Sequence, residues 1–152
     1  MGTPSRSTTA SFVADVANLE AIRKFVRKQV VAAGLGAQAV YDVVLAADEV
    51  ATNIIEHGYQ GKRGNIEVEV VAGDNGLTLH LRDRAPAFDP TLAPTPDINI
   101  PLGERSLGGM GIHLARNLVD EIHYRRSSDG MNELTLVKRM KIKPKQEAHR
   151  GT

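Results

Sequence analysis

A chain of 152 residues, 41% hydrophobic and 24% charged with a net charge of +1, has the makeup of one ordinary globular domain. A domain of this length buries roughly 68–70% of its unfolded surface, so it needs no staple to hold a core. It has no cysteine, which excludes disulfides, thiolate metal sites and cysteine nucleophiles; no secretory leader and no apolar run of the ~18 residues that span a bilayer is visible, which points to the cytoplasm and away from a membrane.

Residues 1–9 are Ser/Thr-rich and predict a flexible start, followed by a short strand over Ala10–Ala14. Val16–Ala33 reads as a helix with Leu19, Ile22, Phe25, Val26 and Val30 on one face and Arg23, Lys24, Arg27 and Lys28 on the other. That basic face suits solvation or an acidic partner. Gly34 and Gly36 end the helix. A second helix runs from about Gln38 to His57, its apolar stripe formed by Val40, Val43, Ala47, Val50, Ala51 and Ile54. Ile66, Val68 and Val70 alternate with acids, and Leu77, Leu79 and Leu81 alternate with Thr78, His80 and Arg82. Gly73-Asp74-Asn75-Gly76 joins the two runs, as a hairpin turn does. Periodicity is lost over residues 84–107, where five of the seven prolines fall. A loop of this kind inside a domain is often a lid or a binding loop. A third helix is expected over Ile112–Val119, then strands over Glu121–Arg125 and Glu133–Lys138 around a Ser128-Asp129-Gly130 turn. Residues 141–152 form a basic tail that reads as solubilising, not as a nucleic-acid site. The order of elements predicts an α+β two-layer sandwich over residues 10–140, with a mixed, mostly antiparallel sheet and helices on one face.

Three features carry chemistry. Glu49, Asn53 and His57 stand four residues apart, so a continuous helix stacks them along one side. A carboxylate such as Glu49 can accept a proton from a hydroxyl. Asn53 offers a neutral hard oxygen, suited to a magnesium ion already carried by phosphates. Asp83 closes a strand where the long loop begins and can accept from an exocyclic amine. Gly108, Gly109 and Gly111 stand at a helix start, where backbone N–H groups and the dipole favour anions. No Gly-Lys-Ser/Thr follows them and no βαβ unit holds them, so neither a Walker nor a Rossmann site fits. Taken singly, each feature also has a plain reading: a solvated helix face, an acid closing a strand, a flexible hinge.

Taken together and in order, they resemble the ATP-binding fold shared by gyrase, histidine kinases and MutL, the GHKL or Bergerat fold. Within it they look like the RsbW/SpoIIAB-like anti-sigma factor serine kinases. Glu49-Val50-Ala51-Thr52-Asn53 with Glu56-His57-Gly58-Tyr59 is similar to that branch's N-box, Asp83 to Pro90 to its first glycine box, and Gly108-Gly109-Met110-Gly111-Ile112 to its second. The resemblance implies Glu49 as general base, Asn53 as Mg²⁺ ligand and Asp83 as the adenine reader. It implies that Gly108, Gly109 and Gly111 wrap the phosphates and that Thr135 helps close the adenine pocket. ATP and Mg²⁺ are the implied cofactors. A sigma factor and a STAS-type anti-anti-sigma protein are the implied partners, the latter phosphorylated on serine, and a homodimer is the implied assembly. The chain has no room for the separate phosphoacceptor helices of a histidine kinase. One position departs from the pattern: Ala85 stands where glycine is usual. A positive φ there would cost alanine roughly 1–2 kcal/mol, and its β-carbon would crowd a base. The alternative function is a catalytically weak or inactive binding module that sequesters a sigma factor or another regulator.

Overall fold

Alternation of apolar and polar residues gives a five-stranded sheet, and the two amphipathic helices cover one of its faces. The computed structural model describes residues 5–87, 89–92 and 114–140. In chain order these hold β1 (Arg6–Val13), α1 (Leu19–Ala32), α2 (Ala37–Asn53), β2 (Asn65–Gly73), β3 (Gly76–Asp83), β4 (Glu121–Arg126) and β5 (Asn132–Arg139). The sheet order is β1-β2-β3-β5-β4, and every described pairing is antiparallel.

β1 begins at Arg6, earlier than its Ser/Thr-rich sequence suggests. It is an edge strand held by the ladder to β2, with Thr8 opposite Val70 and Ala10 opposite Val68, and most of its side chains stay in solvent. Its pairing comes from the backbone, so it leaves little apolar signal to read. Asp15 then caps the turn into α1, its Oδ1 accepting from Ala17 N at 2.8 Å. Gly34, at φ +90°, ends α1.

Ile22, Val26 and Val30 of α1 are fully buried, as are Ala46, Ala47, Val50 and Ala51 of α2. They form one core with Ile66, Val68, Leu79, Leu81 and Leu136 of the sheet. Truncating any of the larger ones to alanine would cost about 2–5 kcal/mol. The buried surface of α2 also takes in Val44 and Ala46, so it is wider than the predicted stripe. The β2–β3 turn is a tight one, Gly73 pairing with Gly76. Gly76 sits at φ +132°, and a β-carbon there would fall 2.2 Å from the Lys138 carbonyl oxygen. Glycine is required at that position on both counts.

α2 ends differently from the expectation. After Asn53 the chain passes into one π-helical turn, Ile54–Tyr59, closed by Gln60 in the left-handed conformation at φ 53°. The single continuous α-helix that would align His57 with Glu49 and Asn53 is therefore interrupted. Such turns occur often at functional sites.

Candidate functional site

Among the described residues, three polar side chains lie in the buried set: Asn53 at 3% exposure, Asp83 at 8% and Asn132 at 5%. All three line one cavity. Burying a polar group costs roughly 1–3 kcal/mol unless it is well partnered, so their convergence from three separate elements is a built feature.

Asn53 comes from the last residue of α2, where Val50 and Ile54 beside it supply apolar wall. Its Nδ2 is buried and has no hydrogen-bond partner among the described residues. Asp83 is the last residue of β3. Continuing the phase of Leu79 and Leu81 turns it inward. Its Oδ1 accepts from Ala85 N at 2.9 Å and from Asn132 Nδ2 at 2.9 Å. Among the described residues both bonds fall on Oδ1, which leaves Oδ2 unspent. Burial pushes the carboxyl above the ordinary aspartate range, against the Asn132 and Ala85 hydrogen bonds and the charge of Arg126.

Asn132, the first residue of β5, is the member that the sequence reading missed. Its Nδ2 donates to Asp83 Oδ1 and, at 3.0 Å, to the Ala85 carbonyl. Its Oδ1 accepts from Tyr124 Oη at 2.5 Å and Arg126 Nη1 at 2.8 Å. Tyr124 and Leu134 complete the apolar wall, and Pro86 and Pro90 border it on the side of the long loop. The cavity measures about 20 Å³, room for one water-sized guest.

Glu49 stands one turn before Asn53 on α2, about 6 Å along the axis by helix geometry. It is half-buried and outside the cavity wall. Burial raises its pKa above the ordinary glutamate value, and the neighbouring Asp48 adds to the rise. Asp48 is itself paired with Arg23 of α1 at 2.7 Å.

Thr135 is not brought to the cavity. It sits one residue out of phase with Leu134 and Leu136, on the outer face of the sheet, where its Oγ1 bonds His80 Nδ1 at 2.9 Å. Strand alternation makes the two positions exclusive: Leu134 lines the cavity, so Thr135 faces away. The expectation that Thr135 closes the pocket is corrected on this ground. Gly108, Gly109 and Gly111, with Phe88, lie outside the described residues.

Ala85 fits its place without strain. Among the described non-glycine residues Gln60 alone has a positive φ, so the backbone cost expected at residue 85 does not arise. Its side chain is buried and packs over Gly58, where an added β-carbon would approach Ala85 Cβ to 3.3 Å.

Residues 12–138 match the histidine kinase-like ATPase domain family. The chain is 33% identical over 97 residues to the serine/threonine-protein kinase BtrW of Bordetella bronchiseptica, a match covering 63% of this chain and 68% of that protein. It is 28% identical over 98 residues to the serine-protein kinase RsbW of Bacillus cereus, covering 59% of this chain and 58% of the relative. With the anti-sigma F factor of Clostridium acetobutylicum it shares 32% identity over 92 residues, covering 56% of this chain and 59% of that one. The matched stretch thus spans less than two thirds of the latter two proteins. Among solved structures, the RsbU and RsbW domains of Rv1364c from Mycobacterium tuberculosis share its fold, with TM-score 0.58 and 20% identity over 92% of this chain and 34% of that one.

Proposed function

The chain belongs to the histidine kinase-like ATPase domain family, and on that premise we propose that it is an ATP-dependent protein serine kinase acting as an anti-sigma factor. The observation that carries the reading is the convergence of Asn53, Asp83 and Asn132 on one cavity, with Glu49 one turn away on the same helix as Asn53. Both cofactor-facing groups keep unspent capacity. Among the described residues the buried Asn53 Nδ2 has no hydrogen-bond partner, and rotation about its last torsion exchanges nitrogen for oxygen. Among the described residues the Asp83 hydrogen bonds fall on Oδ1, which leaves Oδ2 to give. These are what a metal-bearing phosphate group and a base amine respectively require.

When bound, Mg-ATP supplies the phosphoryl group and part of the charge neutralisation that the transfer needs. In this reading Asp83 Oδ2 would accept from the adenine amine, and Asn53 Oδ1 would hold the Mg²⁺. Gly108, Gly109 and Gly111 are assigned to the phosphates from the sequence pattern. Glu49 takes the proton from the hydroxyl of the partner's serine, and its raised pKa makes it a stronger base than a solvated glutamate. The substrate serine belongs to a STAS-type anti-anti-sigma protein, and a sigma factor is the competing ligand. The exposed Lys24, Arg27 and Lys28 on α1 are the proposed contribution to a partner surface. A homodimer and a cytoplasmic location complete the proposal; no helix among the described residues is long and apolar enough to cross a membrane.

One observation favours a second reading, a binding module without transfer. A cavity of about 20 Å³ is far below the roughly 300–1,000 Å³ of small-molecule sites. Nucleotide entry therefore requires the cavity to widen. Incubation with Mg-ATP and a STAS partner decides between them. The kinase reading expects phosphoserine on the partner, and Glu49→Gln should lower transfer by roughly 10²–10⁴-fold with ATP affinity kept. Partner binding without any transfer by the wild type leaves the binding module.

A further inference from the structure

The described hydrogen bonds of Asp83 are not self-contained. Arg126, an exposed residue at the end of the edge strand β4, reaches over the start of β5 to the loop after β3. Its Nη1 donates to Asn132 Oδ1 at 2.8 Å and to the Ala85 carbonyl at 3.2 Å. A guanidinium can only donate, so it forces the oxygen of the Asn132 amide toward β4 and the nitrogen toward Asp83. The Asn132 amide then has both hydrogens and both oxygen lone pairs committed: Asp83 and Ala85 on one end, Tyr124 and Arg126 on the other. It cannot flip without breaking four bonds.

We propose that Arg126 is the positioning residue of the base-recognition site. Through the Asn132 amide and the Ala85 carbonyl it fixes the Asp83 carboxylate, so that Oδ1 is held and Oδ2 is offered to the ligand. The same two bonds anchor the loop at Ala85, where the sequence lacks the usual glycine. β4 thereby becomes part of the site, although Arg126 is 41 positions from Ala85 in the chain. Around Asp83, α2 presents the neutral Asn53, β5 the neutral Asn132, and β4 Tyr124 and Arg126. Among the described residues Arg126 is the group whose charge acts on the carboxylate. The inference rests on the nucleotide reading of the cavity.

The test uses the full chain as wild type, Arg126→Gln and Arg126→Lys, titrated with Mg-ATP and Mg-GTP. Arg126 is exposed, so the fold should survive, and circular dichroism checks it. The expected result for Arg126→Gln is a roughly tenfold loss of ATP affinity with a matching fall in the ATP-to-GTP preference, partly restored in Arg126→Lys. General loosening of the site would weaken both nucleotides alike and would overturn the proposal. A carbon-13 titration of the Asp83 carboxyl in the nucleotide-free protein reads the same link without ligand: its midpoint should move up in Arg126→Gln and return toward wild type in Arg126→Lys. Wild-type ATP affinity and preference in Arg126→Gln would overturn the proposal as well. If the wild type itself binds neither nucleotide, the ATP reading falls and the base-recognition role of Arg126 falls with it. The carboxyl titration then tells the two failures apart, since an unmoved midpoint also overturns the link from Arg126 to Asp83 and a moved one leaves that link alone standing.

Discussion

The two faces of the same sheet treat polar groups in opposite ways. On the outer face Arg82 engages all three guanidinium nitrogens: Nε to Glu133 at 2.7 Å, Nη1 to Glu67 at 2.8 Å and Nη2 to Glu69 at 2.7 Å. Glu69 also accepts from Ser7 Oγ, and Glu133 from Arg125 at 3.0 Å. Hydrogen bonds from Ser7 and then Arg82 hold Glu69 below the ordinary carboxylate range. One residue along the strand, Asp83 goes the other way, pushed up by burial. Outside, each of the three Arg82 nitrogens has a carboxylate acceptor. Inside, Asn53 Nδ2 and Asp83 Oδ2 are left over among the described residues. A paired network stabilises and orders the fold; unspent capacity in a buried cavity is what a ligand uses.

The substitution that should break this contrast most strongly is Asp83→Asn. The amide oxygen can still accept from Ala85 N and Asn132, but the charged acceptor is gone. A lost charge-assisted bond predicts a roughly 10–100-fold fall in ATP affinity by calorimetric titration. Stability should move the other way. The raised pKa means that the folded state binds a proton at Asp83 more tightly than the unfolded state. Wild-type stability therefore falls as pH rises through the interval between the unfolded value, near 3.8, and the higher folded value, and stays lower above it. Asp83→Asn should be no less stable than wild type at neutral pH, and any advantage should shrink as pH falls toward about 4. A variant that is both weak in binding and clearly destabilised at neutral pH would show that Asp83 is spent on structure, like Arg82.

A smaller effect is expected where the floor of the site is set by size. Gly58 and Ala85 share one space: a β-carbon on Gly58 would meet Ala85 Cβ at 3.3 Å, closer than ordinary contact. Gly58→Ala gains backbone rigidity but must push on Ala85, so its net sign depends on how far the loop yields. The coupling is firmer than either single value. In the Ala85→Gly background the added methyl has room, so a double-mutant cycle by denaturant unfolding should give an interaction of about 0.5–1 kcal/mol. Strict additivity would mean that the two positions do not share a wall.

The sequence pattern carried the core and one half of the site. Alternation through Leu77, Leu79 and Leu81 runs on to Asp83, so the inward turn of that carboxylate was legible. The stripe on α2 and the Gly73–Gly76 turn were legible for the same reason, since they are local and periodic. Asn132 was not, because its meaning lies in a bond to a residue 49 positions away. A phase signal was nevertheless present: Asn132, Leu134 and Leu136 alternate with Glu133 and Thr135, which sets Asn132 on the core face and Thr135 off it. The π-turn after Asn53 and the early start of β1 left no comparable trace. One is a change of winding without a change of composition, and the other is a ladder of backbone bonds beneath exposed side chains.

Thr135→Val sharpens the contrast with the least expected effect. The substitution keeps the shape of the side chain and removes the oxygen that meets His80 Nδ1. On a half-exposed outer face a neutral hydrogen bond contributes roughly 0.5–1.5 kcal/mol, and valine recovers part of that through its preference for strands. The change in unfolding free energy should stay under about 1 kcal/mol. ATP affinity should stay within about twofold, because Leu134 and Asn132, not Thr135, are the β5 residues at the cavity. Should Thr135→Val weaken ATP about tenfold while leaving stability alone, β5 would have to present its other face to the nucleotide. The division between a carboxylate-paired outer face and an unspent inner one would then fail at the strand on which it is most clearly drawn.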